Sequence, residues 1–187
     1  MTDGSEGVIL NKKMNKILAS KINNMAKADQ KMRQIFDLKG IWDNELDNKN
    51  TEEMKSIVRK YGWPTIGMVG KRASKNAWLL VQHADHDLSF QKECLVLMQD
   101  IFAKNPKDIE KSNIAYLTDR TLLAEKKPQI YGTQFKVTKK GGLSLLPVKN
   151  RKSLNKMRAE VGLPPIEEML ELAKGHKQSK PEPFSKE

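Results

Sequence analysis

Cysteine is nearly absent: Cys94 is the only one in 187 residues, which excludes an internal disulfide and any multi-thiolate zinc site. It stands four residues after Phe90 and four before Met98, the spacing of one helix face, and so predicts a buried structural thiol rather than a nucleophile. Long apolar runs are missing too. All fall far below the ~20 residues a bilayer requires, so no membrane-spanning helix is expected. The opening Met1-Thr2-Asp3-Gly4-Ser5-Glu6-Gly7 lacks the basic and then apolar layout of a secretory signal, and the expectation is a cytoplasmic protein. With 38% hydrophobic and 30% charged residues, the composition is that of a soluble globular chain long enough for one domain with a proper core.

Acidic residues are absent from 136–158, which carries Lys136, Lys139, Lys140, Lys149, Arg151, Lys152, Lys156 and Arg158. This run accounts for much of the net charge of +11, while the middle of the chain is nearly neutral. Phosphate binding by this segment is therefore an alternative function. It contains no aromatic residue on which bases could stack, and a basic surface is usually just solvated.

Helical periodicity dominates the first two thirds. Leu10, Met14, Ile17, Leu18, Ile22, Met25, Met32 and Phe36 recur by threes and fours, predicting a long amphipathic helix over about 8–36 that Gly40 breaks. Residues 43–49 read as a polar loop, with Asn50 capping a helix that buries Met54, Ile57 and Val58 and ends at Tyr61-Gly62-Trp63-Pro64. Another helix is expected from about Ser74 to the histidines, and a fourth from an Asp87 cap to Asn105-Pro106. A fifth should run over about 107–125, burying Ile109, Ile114, Leu117 and Leu122. After Pro128 the pattern alternates, and a β-hairpin is expected near 129–148, turning at Lys140-Gly141-Gly142. Short helices over 153–161 and 166–174 precede a Lys/Pro/Ser-rich tail read as disordered from 175 to 187. The fold class is thus mainly α, a multi-helix core with one hairpin in the C-terminal half. Residues 1–60 form a helical extension packed on a core of 61–174.

Three clusters carry chemistry. Gln82-His83-Ala84-Asp85-His86-Asp87 follows an apolar run, so imidazoles and carboxylates sit at the edge of a core, where burial tunes a pKa and water can still enter. On a continuing helix His83, His86 and Asp87 could meet a metal. With no third histidine in the core, since His176 falls in the tail, no metal is assigned and these three are weak candidates only. In Tyr116-Leu117-Thr118-Asp119-Arg120, the arginine is a permanent forked donor for carboxylate or phosphate, with a buried Asp–Arg pair as the structural alternative. In Gln129-Ile130-Tyr131-Gly132-Thr133-Gln134-Phe135, a glycine within a strand suggests close approach of backbone or ligand, while Tyr131, Thr133 and Gln134 offer polar groups. The alternative is a hairpin packing Tyr131 and Phe135 on the helices.

These motifs, together with Tyr61-Gly62-Trp63-Pro64, Phe90-Gln91, Arg158 and Val161-Gly162-Leu163-Pro164-Pro165, resemble a bacterial family catalogued as a domain of unknown function, over about residues 61–170. The resemblance implies a shared fold and a shared pocket, and supplies no reaction; some relatives are exported. From the residues themselves, the leading expectation is an enzyme or small-ligand binder acting on an anionic or polar substrate by histidine-assisted proton transfer or hydrolysis. His83, His86 and Asp119 would be catalytic. Arg120, Tyr131, Thr133 and Gln134 would bind the substrate, all three clusters opening into one concavity. A third class is an interaction protein using the helix at 8–36. Cofactor and oligomeric state are not legible.

Overall fold

The computed structural model describes residues 5–40, 42–138 and 142–175, with side chains for 16–40, 42–138 and 142–171. Lys140 and Gly141 of the predicted Lys140-Gly141-Gly142 turn, and the tail beyond 175, lie outside the described residues. The fold is mainly helical: among the described residues there are seven α-helices and one two-stranded antiparallel hairpin in the C-terminal half. The chain divides into two compact units, Met1–Glu110 and Lys111–Glu187.

In the first unit, α1 (Ser5–Lys39) packs chiefly along α3 (Ile66–Gln82), with α2 (Asn44–Tyr61) and α4 (Leu88–Lys104) against α3. The inward face of α1 is Leu18, Ile22, Ala26 and Met32; Ile17 and Phe36, expected on it, are exposed instead. Adjacent helix positions point about 100° apart, and Leu18 takes the buried side while Ile17 falls beyond the edge of the stripe. Gly40 ends the helix with φ +69°.

Residues 43–49 are not a loop. The side chain of Asp43 accepts from the Leu46 amide at 2.9 Å, so α2 starts a full turn and more before the expected cap at Asn50. Glu45 and Asp47 in the first turn complement the helix dipole. Asn50 and Thr51 are buried inside α2, where the Thr51 hydroxyl bonds the Asp47 carbonyl. Helix α3 is two helical segments joined across a kink: Thr65 caps a short first one that the sequence reading lacks, and Gly70, at φ +81° and ψ 160°, separates it from the second, which is the helix expected from about Ser74. Trp63 of the Tyr-Gly-Trp-Pro turn is 2% exposed, an anchor in the core. Asp87 caps α4 and Asn105 ends it, as the sequence indicates, and Cys94 is fully buried on its inner face. Burial pushes the Cys94 thiol far above its ordinary pKa, so at neutral pH it is an inert apolar filler.

The second unit starts with α5 (Lys111–Ala124), later than expected because Pro106–Asp108 forms a separate 3-10 turn. Strands β1 (Phe135–Val137) and β2 (Leu143–Leu145) pair antiparallel, Lys136 opposite Ser144. They are shorter than the predicted hairpin because the amides of Ile130, Tyr131, Thr133 and Gln134 bond to side chains, while Gln129 makes only an isolated parallel bridge to Val148. Helices α6 (Leu154–Glu160) and α7 (Ile166–Gly175) follow, α7 packing on β2.

Gly70 occupies a region of backbone space that side chains disfavour even where room exists, and a Cβ there would meet nothing within 4 Å. Gly70→Ala is therefore expected to cost about 1–3 kcal/mol through backbone strain alone. Urea unfolding measures it, and an unchanged midpoint would show that the break in α3 is not held in place.

Candidate functional site

Helix α3 ends at Gln82, so His83 and His86 do not continue one helical face. His83 is the C-cap, and Ala84 to Asp87 make a turn in which the Asp87 amide bonds the Ala84 carbonyl. Gln91, itself 1% exposed, locks this turn from α4: its amide nitrogen donates to the carbonyls of Val81 and Gln82 and to the Asp85 carboxylate. The turn aims His83 inward, 4% exposed, and leaves His86 largely outside.

Inside, His83 meets Asp29 of α1. Nδ1 of the imidazole lies 2.8 Å from Asp29 Oδ2, and both residues are buried. Arg33, one turn along α1, donates through Nε to the same Oδ2 at 3.2 Å and through Nη2 to Oδ1 at 3.4 Å. The same guanidinium reaches Asp47 of α2 at 3.6 Å, and Asp47 in turn stands 3.8 Å from His86 Nδ1. Burial by itself would raise the Asp29 pKa; the hydrogen bond and charge of His83, with those of Arg33, outweigh it and hold the carboxyl below its ordinary range. Asp47 goes the other way, burial raising it against the pull of Arg33 and His86.

Asp87 is committed elsewhere. It caps α4 through the Phe90 amide and pairs with Lys55 at 2.7 Å. That pair lies in a shallow groove of about 250 Å³ lined by Lys55, Arg59, Asp87, Ser89, Phe90 and Glu93, which His83 does not line. Among the described residues no group of three or more His, Cys, Asp or Glu is placed to hold a metal.

The second unit gathers five of the residues singled out in the sequence. Asp119, fully buried on α5, accepts from the backbone amides of Ile130, Tyr131 and Thr133 at 2.8 to 3.2 Å and from the Thr133 hydroxyl at 3.0 Å. Burial raises the Asp119 pKa while these donors pull it back. Gln134 donates its side-chain nitrogen to the Thr133 hydroxyl and accepts from Arg120 Nη1 at 3.4 Å. The phenol of Tyr131 takes no part in this net, and burial raises its pKa. Gly132 stands at φ +62° with Leu154 methyls 3.3 Å from where a Cβ would be, so both conformation and space require glycine.

Asp29 and Arg33 escaped the sequence reading, and Gln129 and Arg158 were named there without the roles they hold. Asp29 falls at a stripe position, seven after Ile22, so a carboxylate on the apolar face of a helix was the available signal; Arg33 follows at i+4. Gln129, fully buried, binds the Gln134 amide through Oε1 and the carbonyls of Gln134 and Leu146 through its nitrogen. Arg158, counted among the phosphate-binding cations, is instead 1% exposed and donates to the carbonyls of Pro164, Tyr131 and Gly132. Lys136, Lys149, Arg151, Lys152 and Lys156 of that run are exposed.

Each unit is thus a helical body built around a buried, multiply bonded carboxylate. A family model matches residues 17–179, and the chain belongs to that family, a family of unknown function (DUF6624). No curated protein and no solved structure gives a significant match.

Two stability measurements follow from the buried acids. Asp119→Ala strands three amides and a hydroxyl, and is expected to cost about 3 kcal/mol or more. Asp119→Asn should recover little, because its NH2 would face a backbone donor; stability within about 1 kcal/mol of the native protein in both variants would refute the anchoring role. Asp29 has a lowered folded pKa, so in acid the unfolded chain takes up its proton first. Its contribution is complete above the ordinary carboxylate range and is lost as pH falls below about 4 through the lowered value. Urea midpoints taken down that limb should fall less steeply in Asp29→Asn than in the native protein.

Proposed function

We propose that the protein is a polar-site hydrolase or related proton-transfer enzyme in which His83 is the general base. The observation supporting this is the 2.8 Å approach of His83 Nδ1 to Asp29 Oδ2 in a buried setting. A carboxylate at Nδ1 selects the tautomer with a proton on that nitrogen, makes Nε2 the basic atom, and stabilises the imidazolium that forms when Nε2 takes a proton from water or a hydroxyl. The exposed Asp85 and His86 keep the turn beside solvent.

Charge narrows the substrate. Arg33 faces two carboxylates, Asp29 and Asp47, so its positive charge is already neutralised. A neutral polar substrate, such as an ester or amide, suits this environment better than an anion. His86, beside Asp47 at the surface, is assigned a supporting role in guiding substrate or proton toward the turn. In the second unit, Asp119 acts through the loop it holds. Arg120, Tyr131, Thr133 and Gln134 are proposed as ligand-orienting groups in their own right, with the phenol of Tyr131 the first to examine.

The test is turnover of neutral p-nitrophenyl esters beside p-nitrophenyl phosphate. The ester rate is expected to rise with pH along a single-proton limb and to fall about 100-fold or more in His83→Gln, whose amide can still donate to Asp29. Equal rates in the two proteins, or a preference for the phosphate ester, would overturn the reading.

A further inference from the structure

The first unit holds a charged side chain that neither caps a helix nor is turned to open solvent. Arg33 is 15% exposed at its side chain, lies with its guanidinium carbon 5.0 Å from the centre of the Trp42 ring, and bridges Asp29 to Asp47. Trp42 is itself set by Phe36, whose ring meets it edge-on at 5.2 Å and 86°. The chain reverses at Gly40 so that Trp42 returns over α1. Arg33 thus lies against an aromatic ring and two carboxylates drawn from α1, the following turn and α2.

We propose that Arg33 is a positioning residue for His83, acting through Asp29: it keeps that carboxylate ionised and oriented, and competes for it with the protonated imidazole, so that His83 stays neutral and basic at working pH. The proposal rests on His83 being the base of the preceding section, but it is measurable without a substrate. Asp29 unaided would bind the imidazolium strongly and keep the ring protonated, useless as a base. The adjacent guanidinium removes part of that attraction while holding the carboxylate in place through two hydrogen bonds. Asp47 anchors the far side of Arg33 and opposes its charge. The charged and titratable groups set around His83 include Asp29 and Arg33 from α1 and Asp47 from α2, with Asp85 and His86 of its own turn at the edge. From α4 comes the neutral amide of Gln91, through the turn it locks.

Opposite signs make this testable. In the full chain, the imidazole proton resonances are assigned by single His→Gln variants and titrated by NMR. Removing the cation in Arg33→Met is expected to raise the His83 midpoint by about one pH unit, Arg33→Lys to restore most of it, and Asp47→Asn to shift it downward by a smaller amount. A role in packing alone would move neither midpoint, or both the same way, and either result overturns the proposal. So does a His83 that keeps one charge state in every variant. If Arg33→Met does not fold, the direction of the Asp47→Asn shift decides. Shifts of the expected signs in a protein that hydrolyses no ester would leave the Arg33 assignment standing and remove the hydrolase reading.

Discussion

A carboxylate withdrawn from water must find donors, and the arrangement of this chain around Asp29 and Asp119 is largely the record of how each does so. The two solutions differ in kind. Asp119 is met by backbone amides and a hydroxyl, groups that hold their protons at any pH of interest. Asp29 is met by an imidazole and a guanidinium, one of which can release a proton near neutrality. The first arrangement suits a scaffold. The second also suits chemistry, which is why the functional reading rests on the first unit.

The demand on Asp119 explains the short hairpin. Ile130, Tyr131 and Thr133 turn their amides toward one side chain on α5, so they cannot at the same time form a ladder, and antiparallel pairing begins only at Phe135. Gln129 and Arg158 complete the pattern, a buried amide and a buried guanidinium taking the carbonyls that the loop leaves over. A lysine could not stand in for Arg158, because the planar fork reaches Pro164 with one edge and the Tyr131 and Gly132 carbonyls with the other.

Much of the helical architecture was legible because burial imposes a period on the sequence: part of the face of α1, the cap and face of α4, and the helices after Ser153 could be read from spacing. What could not be read were places where one side chain overrides the pattern. Asp43 starts α2 early, Thr65 caps a short helical segment ahead of the kink at Gly70, and Asp119 replaces a strand's hydrogen bonds from eleven or more residues away. The candidate site was half legible. His83 announced itself by standing after an apolar run, whereas Asp29 was hidden among the methionines and isoleucines of α1. Its partner lies 54 residues along the chain, a separation no local pattern encodes.

Cys94 carries one more implication. With a single thiol sealed at the inner face of α4 and its ionisation suppressed, the folded protein offers thiol-directed alkylating agents no accessible thiolate to attack. The unfolded chain exposes it completely. The native sequence therefore contains its own chemical clock for openings of the helices around His83: the rate at which that sulfur is modified counts how often the first unit comes apart, with no label introduced.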